Sequence, residues 1–516
     1  MIRLPRAFKT HTENRLSRPI SCFAGAVIFF SLTPSAFAQF RGGFDWSTHG
    51  GDGQRTSWVR TDPKISPASV SGSEFQLVWK MKVGNEPLTA PVLLDRYIGY
   101  RGFRTYAFIG GNSEDAFAFD SDLGRLEWQK HLGGSAGDGS GNCPGGMTAA
   151  LTRPVSGAFP SNAPSRFGGG RGGPAKSGVG EPLEGAVTLA QVAANRQQQA
   201  PPPPPPAAVA PSRPTATPPN PFTPHPTYLY SLSGDGMLHT MYVSNGEEPT
   251  PATPFLPANA NVSDFSVVDG IAYATTTSHC GEAADGVWAV DLATKAVTKW
   301  QGSVTGGQAT FGPDHAYVTS ESKLIELDAK ALTAGTAYDA GAPFATAPVV
   351  FEYKTKEMVA AATKDGTVHL VDAAAPTAAA AKTAGSDNEP FALATWQTTA
   401  ETRWIIETGP KSIIAWKIAD QNGVLALQQG WTIHDVAAPA APLIINGVLF
   451  ALERGEQGHH AVLKAFDATT GKALWNSGNA VTSFMAKSGG IAAGGTSVYF
   501  GTHDGTVWAF GFPIEH

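Results

Sequence analysis

Cysteine is the scarcest chemically informative residue in this 516-residue chain, which contains only three. No two cysteines are adjacent, and there is no C-x-x-C-H motif and no cysteine-rich cluster. These absences exclude covalently attached haem, iron–sulfur clusters and cysteine-based zinc sites. The sequence also lacks a Ser/His/Asp constellation, an H-E-x-x-H motif and a glycine-rich loop that opens a helix after a strand. The common signals of hydrolases and nucleotide-binding proteins are therefore missing.

Charge is sparse as well, because only 16% of the residues are charged and the formal net charge is −6. No lysine- or arginine-rich cluster occurs after the first 20 residues. A mildly acidic surface argues against nucleic acid and against anionic membranes as partners. No segment after residue 38 is long and apolar enough to cross a bilayer, so we expect no integral membrane segment.

The first 38 residues have the three parts of a secretory signal. A basic stretch ends at Arg18, an apolar core runs over residues 20–32, and the small residues Ala36 and Ala38 follow. The apolar core is too short to span a membrane. We predict cleavage after Ala38, which places the mature protein in the periplasm or outside the cell. Cleavage also removes five basic residues and one acid, so the mature chain is more acidic than the full one.

Two cysteines remain in the mature chain, Cys143 and Cys280. In an oxidising compartment they can form one disulfide, which would be long-range in sequence. Whether they pair is left open by the sequence.

A break in composition interrupts the mature chain at about residues 157–224. This stretch is rich in glycine, proline, alanine and glutamine and includes the proline run 201–206. Such a composition buries too little apolar surface to offset the entropy of ordering. We predict a disordered or loosely ordered insertion. Its proline run is either a polyproline II ligand or, as we favour, a passive loop.

The rest of the chain repeats. Eight short apolar runs recur at intervals of about 45 residues, apart from the one interval that contains the insertion. The runs start at residues 116, 237, 287, 324, 368, 412, 463 and 507. Asp-Gly pairs stand just before several of them, at Asp235, Asp285, Asp365 and Asp504, and such pairs favour tight hairpins. The spacing predicts an all-β, eight-bladed β-propeller.

The ends of the chain predict how the ring closes. The eighth unit, which begins near Val481, stops without an outer strand, whereas residues 75–83 look like a strand that precedes the first complete unit. Pairing the two would remove the exposed edges of an open stack. We therefore predict an entry segment over 39–74 and a propeller over 75–516, with the N-terminal strand completing the last blade.

Residues 465–475 read AFDATTGKALW and match the pattern A-x-D-x-x-T-G-K-x-x-W, with Asp467, Gly471 and Trp475 at fixed positions. This motif resembles the tryptophan-docking motif of pyrroloquinoline-quinone (PQQ) dependent alcohol dehydrogenases. The stretch from Asp45 to Trp79 is similar to the entry segment of the same enzymes. Weaker copies of the motif end in Trp128, Trp300 and Trp431. The resemblance covers 45–516 outside the insertion and implies a PQQ-repeat propeller in which each tryptophan packs between neighbouring blades.

The resemblance also implies what an enzyme of this type would contain. In the family, PQQ lies in the central funnel between a tryptophan and a disulfide of adjacent cysteines, Ca²⁺ polarises the quinone, and an aspartate is the general base. This chain departs from that pattern because it has no adjacent cysteines and is shorter once the insertion is discounted. No catalytic or cofactor-binding residue is assigned, no metal site is predicted, and PQQ with Ca²⁺ stays an open alternative.

One loop carries the remaining candidate chemistry. His279, Glu282 and Asp285 surround Cys280 between two predicted strands and would form a small cluster if the loop covered the funnel mouth. The alternative, which we favour, is an exposed turn held by the Cys143–Cys280 bridge.

Two functions follow from these observations. The first is an exported, PQQ-binding-like propeller that acts as a binding or scaffold module, expected to be monomeric, with a protein or small molecule at its face or funnel. Some PQQ-repeat propellers of this kind resemble an outer-membrane assembly lipoprotein that binds other proteins. The second is a PQQ- and calcium-dependent alcohol or sugar dehydrogenase.

Overall fold

A computed structural model of the chain describes residues 45–99, 102–134, 141–159, 227–386 and 388–513. The predicted signal peptide and most of the predicted insertion lie outside these residues. Within them, the predicted insertion begins as ordered chain, because Gly157 N donates to Asp269 Oδ2 over 2.8 Å. Described structure therefore continues to Phe159.

Eight sheets, called blades 1 to 8 in chain order, make up the molecule. Each of the eight predicted apolar runs forms a strand in a different sheet, as the repeat pattern predicted. Blade 1 consists of strands Val92–Gly99, Gly102–Gly111, Asp115–Asp120 and Arg125–His131. Blade 2 consists of Tyr228–Leu232, Met237–Tyr242 and Thr253–Pro254. Blade 3 consists of Val262–Val268, Ile271–Thr276, Gly286–Asp291 and Val297–Gln301, and blade 4 of Thr310–Phe311, His315–Ser320, Lys323–Asp328 and Ala334–Asp339.

The second half of the ring follows the same antiparallel order. Blade 5 consists of Val349–Tyr353, Lys356–Ala362, Val368–Asp372 and Ala379–Lys382. Blade 6 consists of Ala392–Gln397, Arg403–Thr408, Ile413–Gln421 and Val424–Ile433. Blade 7 consists of Leu443–Ile445, Val448–Glu453, Val462–Asp467 and Ala473–Asn476, and blade 8 of Ile491–Gly494, Ser497–Gly501, Thr506–Gly511 and the N-terminal strand Gln76–Lys82.

The N-terminal strand closes the ring as predicted. Gln76–Lys82 pairs antiparallel with Thr506–Gly511, and Trp79 lies opposite Ala509. Buried clusters confirm the closure, since one cluster joins side chains of blades 7, 8 and 1, and six further clusters each join two consecutive blades. Every blade is thus packed against both neighbours.

Three short helical elements lie outside the strands in the described part of the chain. A one-turn helix, Pro67–Val70, begins at Ser66, whose hydroxyl accepts from Ser69 N in a capping box. Two 3-10 turns occupy Cys280–Glu282 and Thr305–Gly307. Among the described residues, no helix has the length and apolar content needed to cross a bilayer.

Two parallel strands add inner edges to the ring. Pro154–Val155 pairs with Val267 and Val268 of blade 3, and Trp58–Val59 pairs with Ile444 and Ile445 of blade 7. Just before the first of these, Thr152 pairs with Tyr230 and supplies the inner edge of blade 2. Blade 2 is therefore built from chain on both sides of the insertion.

The entry segment fills the centre of the ring. Over residues 46–57, here called the plug, successive backbone carbonyls accept hydrogen bonds from the inner edges of different blades. The donors are Leu93 N (to Trp46 O, 2.7 Å), Arg153 N (Ser47 O, 2.7 Å), Phe311 N (Gly53 O, 2.9 Å), Val350 N (Gln54 O, 3.1 Å), Thr395 N (Thr56 O, 3.0 Å) and Ile444 N (Ser57 O, 2.9 Å). Only a segment on the axis can reach so many blades. The plug thus satisfies inner-edge N–H groups that would otherwise stay unpaired.

Candidate functional site: the central funnel

A cavity of about 560 Å³ lies on the axis, above the plug. Its wall is formed by the residues that lead into the inner strands of blades 2 to 8, and its floor by the plug. The charged, imidazole and amide side chains that line it are His49, Arg55, Asp264, Gln308, Arg454 and Lys487. This cavity is the funnel that the propeller architecture predicts.

The backbone of the plug directs its side chains to opposite sides. Arg55 and Ser57 have left-handed backbones, with φ of 58° and 53°, and both line the funnel. Gln54 and Thr56, which alternate with them, line a second cavity instead. Left-handed residues other than glycine each cost on the order of 1 kcal/mol and persist only where the surroundings hold them. The strain is therefore tied to presenting Arg55 to the funnel.

Arg55 forms an ion pair with Asp264 at the funnel floor. Its Nη2 contacts Asp264 Oδ2, both side chains are 3% exposed, and its Nη1 donates to Thr48 Oγ1 over 3.1 Å and to His49 O. Burial raises the pKa of Asp264, while the charge of Arg55 opposes that shift. Of the lining residues that the structure describes, the only carboxylate is thus already paired with an arginine.

His49 is held neutral. Gln308 Nε2, which can only donate, lies 2.8 Å from His49 Nδ1, so this ring nitrogen accepts and the ring proton sits on Nε2. Burial, together with the charges of Arg55 and Arg454, lowers the pKa of His49 to about 3. At neutral pH the ring therefore contributes a hydrogen-bond donor and no charge.

Two further cations face the funnel from the blade 7 and blade 8 side. Arg454 Nη1 contacts Ala486 O at 3.4 Å, and Lys487 is exposed in the next loop. Within the described part of the chain, neither side chain forms an ion pair. Burial lowers the pKa of Arg454, but no carboxylate accounts for its charge. Among the described residues, the funnel lining therefore has three basic side chains and one carboxylate.

This donor set does not fit a PQQ–calcium centre. Ca²⁺ takes six to eight oxygen ligands, usually with carboxylates among them, whereas the described funnel lining provides one carboxylate, which is bound to an arginine. No group of three His, Cys, Asp or Glu side chains suited to a metal occurs among the described residues. In the described part of the lining, Phe391 is the only Phe, Tyr or Trp side chain, so no tryptophan from that part lies there to stack on a quinone.

The loop proposed from sequence lies away from the funnel lining. His279 Nδ1 is 3.0 Å from Asp285 Oδ2, and the His279 side chain is 79% exposed. Neither these two residues nor Glu282 lines the cavity. Beside them, Cys143 and Cys280 form a disulfide with a Cα–Cα distance of 5.5 Å. The loop is thus an exposed turn fastened to the chain that precedes the insertion.

Three of the docking tryptophans contact the following blade. The indole N–H groups of Trp79, Trp128 and Trp431 donate to a carbonyl of the following blade, at Ser121 (2.8 Å), Val243 (2.9 Å) and Ala468 (3.1 Å). Each ring lies against a glycine of that blade, at Gly124, Gly246 and Gly471. Gly471 thus receives Trp431 of the preceding blade, while Asp467 Oδ1 accepts from Thr469 N and Thr470 N to hold the turn.

The remaining two tryptophans of the pattern pack at blade interfaces. Trp300 borders the cluster between blades 3 and 4, and Trp475 borders the cluster of blades 7, 8 and 1, edge-on to Phe75 at 4.9 Å. None of the five docking tryptophans lines the funnel.

Sequence reasoning missed the funnel residues. Arg454, Lys487 and Asp264 belong to no motif. They converge only because the corresponding loops and strand ends of successive blades all face the central axis. His49 and Arg55 lie in or beside the stretch that resembles the dehydrogenase entry segment, but no role followed from that resemblance. A repeat-aligned search for charged residues just before each inner strand would have found part of the set.

No protein-family model and no curated protein matches this chain. Solved structures do match. The quinohaemoprotein alcohol dehydrogenase of Comamonas testosteroni has a TM-score of 0.53 at 12% identity, over 92% of this chain and 81% of that one. A quinohaemoprotein alcohol dehydrogenase from Pseudomonas putida has a TM-score of 0.54 at 10% identity over the same shares. A europium-containing methanol dehydrogenase has a TM-score of 0.50 at 10% identity, over 91% and 98%.

Proposed function

We propose that this chain, which has the eight-bladed propeller fold of the quinoprotein dehydrogenases, is an exported binding module rather than a dehydrogenase, and that its funnel binds a small organic anion. One observation carries the proposal: the described lining of the funnel has three cations, and its only carboxylate is paired with one of them. The fold supports a propeller scaffold, and the funnel chemistry supports the choice of ligand.

The funnel has the size and the donors that such a ligand needs. A cavity of about 560 Å³ is within the range of small-molecule sites. Arg454 and Lys487 supply charge-assisted donors, each worth about 1.5–3 kcal/mol to a bound carboxylate. His49 Nε2 adds a neutral donor at the floor. An anion would therefore meet donors on two sides of the cavity.

The side chains of the funnel are poorly suited to general-base catalysis. A general base works best with a pKa near the operating pH. His49, with its pKa held at about 3, is far too weak a base at neutral pH. Asp264 is bound to Arg55 and nearly fully buried. No other carboxylate or imidazole from the described segments lines the funnel.

Ligand binding is tested by calorimetry and thermal denaturation with a panel of mono-, di- and tricarboxylates, PQQ among them, with and without Ca²⁺. We expect at least one organic anion to bind without calcium, and the Arg454→Ala/Lys487→Ala variant to bind it at least tenfold more weakly. The matched control is Arg125→Ala/Lys364→Ala, which removes an arginine and a lysine from exposed positions outside the funnel. No binding across the panel, or equal losses in both variants, would count against the proposal.

The alternative, a PQQ- and calcium-dependent dehydrogenase of alcohols or sugars, is supported by the fold likeness and by the docking motif alone. A dye-linked assay with PQQ, Ca²⁺ and a broad set of alcohols and sugars tests it directly. Turnover that depends on both additions would replace the binding-module proposal.

Export is the second part of the proposal, and it rests on the composition of the first 38 residues. We expect the protein recovered from the periplasm or medium to begin at Gln39, as read from its intact mass. An intact N-terminus, or retention in the cytoplasm, would refute it.

A further inference from the structure

A second cavity lies on the other side of the plug from the funnel. It has a volume of about 320 Å³ and is lined by Gln54, Thr56, Arg60, Phe351, Gln397 and Arg403, among others. The funnel wall is formed where the inner strands of blades 5 and 6 begin, whereas this cavity lies where those strands end. We call it the basal pocket.

Arg403 is buried in the wall of the basal pocket with part of its hydrogen-bonding capacity unused. The side chain is 4% exposed, and its guanidinium packs 5.1 Å from the ring centre of Phe351. Nη2 donates to Glu352 O (2.9 Å) and Gln397 Oε1 (3.1 Å). Nε and Nη1 are buried with no hydrogen-bond partner among the described residues. Leaving a buried charged donor unpaired is costly, so an acceptor from outside the chain would be stabilising.

A second guanidinium lies close by. Arg60 is 4.3 Å and Arg403 5.5 Å from the ring centre of Trp58, so both cations pack on the same indole. Burial, followed by the charge of Arg60, lowers the pKa of Arg403 to about 10. Both arginines line the basal pocket and are charged at neutral pH, so an anion bound there would be attracted to both.

Gln54 has an unpaired hydrogen-bond acceptor, which complements the unpaired donors of Arg403. Its side chain is 1% exposed, and its Nε2 donates to Gly157 O over 2.7 Å, which fixes the direction of the amide. Oε1 is buried without a partner among the described residues. Arg403 and Gln54 thus both line the pocket, and each retains buried hydrogen-bonding atoms without a partner among the described residues.

We propose that the basal pocket binds a small oxyanion that also has a hydroxyl group, either a short hydroxycarboxylate or hydrogen phosphate. Arg403 and Arg60 donate to the charged oxygens, and Gln54 accepts from the hydroxyl. This cavity is separate from the funnel, so the proposal does not depend on what the funnel binds.

The carboxylates around the pocket restrict the ligand. Glu352 and Glu401 line it from exposed positions, and Asp52 is engaged by Thr56, whose N and Oγ1 donate to it over 2.9 Å and 2.6 Å. Lys354, also in the lining, is paired with Asp420 at 2.8 Å. Exposed carboxylates repel large polyanions, so a compact ligand of low charge suits the pocket best.

The test is a calorimetric titration of the purified full-length chain with glycolate, inorganic phosphate and acetate, each at the same ionic strength. We expect glycolate or phosphate to bind, and the tighter of the two identifies the source of the oxyanion. Acetate has the same charge as glycolate but no hydroxyl, so it should bind about tenfold more weakly. Equal binding of acetate and glycolate, or no binding of any probe at millimolar concentration, would overturn the proposal.

Variants locate the site. Arg60→Gln removes one cation from a partly exposed position and should weaken binding at least tenfold, whereas Arg125→Gln, at an exposed blade 1 position, should leave it unchanged. Loss of binding in Arg454→Ala/Lys487→Ala instead would assign the ligand to the funnel and overturn the proposal. The most direct variant, Arg403→Lys, risks misfolding. The NMR resonance of the Arg403 Nε–H group in the wild-type protein therefore provides a second readout. It should shift on titration, and an unchanged resonance at saturation would contradict the assignment.

Discussion

At the scale of single residues, the blades are joined by glycines that accept a neighbour's tryptophan. Gly124 has φ of 60°, and a Cβ built on it would lie 2.6 Å from the Trp79 ring. The ring cannot retreat easily, because its N–H is bound to Ser121 O at 2.8 Å. The position thus requires both a left-handed backbone and the absence of a side chain.

Gly124→Ala should therefore lower the unfolding free energy by about 2–4 kcal/mol, through strain and overpacking together. The control is Gly423→Ala. It has φ of 88° but nothing within 4 Å of the added Cβ, so it should cost only about 1 kcal/mol. Urea unfolding measures both, and equal losses would show that the contact with the tryptophan contributes nothing.

A buried histidine makes stability depend on pH. His369 is 3% exposed, with Tyr338 Oη 2.9 Å from its Nδ1 and Thr363 Oγ1 3.2 Å from its Nε2. Burial lowers its pKa from the usual 6.5 to about 4. The unfolded chain therefore takes up the proton first as pH falls, so the stabilising difference is complete above pH 6.5 and shrinks down to pH 4.

We expect the wild-type protein to lose up to about 3 kcal/mol more than His369→Gln between pH 7 and pH 4. Comparing the two proteins by chemical denaturation at several pH values isolates this residue from other titrating groups. Parallel curves for wild type and variant would refute the assignment.

At the scale of elements, one bridge joins the chain on both sides of the insertion. Cys143 precedes the insertion, Cys280 follows it in the turn after the second strand of blade 3, and the two are 137 residues apart. Chain-entropy arguments give a crosslink across a loop of this length about 4–5 kcal/mol of stabilisation, an upper guide because measured values are often smaller. The bridge thus holds the chain that supplies the inner edge of blade 2.

This arrangement predicts the outcome of limited proteolysis. Trypsin should cut first in the insertion, whose sequence contains trypsin sites such as Arg171 and Lys176. The nicked protein should remain one band on a non-reducing gel and separate into two bands after reduction. A Cys143→Ser/Cys280→Ser variant should instead separate without reductant, and resistance of the insertion to trypsin would contradict its predicted disorder.

At the scale of the whole molecule, the plug connects the blades through the axis. Its carbonyls accept hydrogen bonds from the inner edges of most of the ring, and Arg55 reaches blade 3 through Asp264. Each blade is thereby held by its neighbours and by one shared central segment. Loosening the plug should therefore destabilise the ring as a unit.

Breaking the Arg55–Asp264 pair tests this. Arg55→Met should cost about 3–5 kcal/mol, because it leaves a buried carboxylate unpaired. The double variant Arg55→Met/Asp264→Leu should lose less than the sum of the two single changes, since it removes both charges. Additive losses in a denaturation cycle would show that the two side chains are not coupled.

The fold was largely readable from the sequence. Apolar runs such as 287–291 and 463–467, with Asp-Gly turns before several of them, predicted the strands, and the unpaired eighth unit predicted the pairing of Trp79 with the C-terminal strand. These signals are local, since each depends on alternation, turn residues and repeat spacing within about 45 residues. Position along the chain was therefore enough to predict them.

The candidate sites were decided by tertiary structure alone. Arg55, Asp264 and Arg454 are far apart in the sequence. Only closure of the ring brings them together at the axis. Likewise, Arg403 and Gln54 line one pocket only because the plug passes through the centre of the ring and divides it into two cavities. The sequence contains no local signal for such convergence, because the charge balance and the desolvation of these side chains depend on which distant residues meet in the fold.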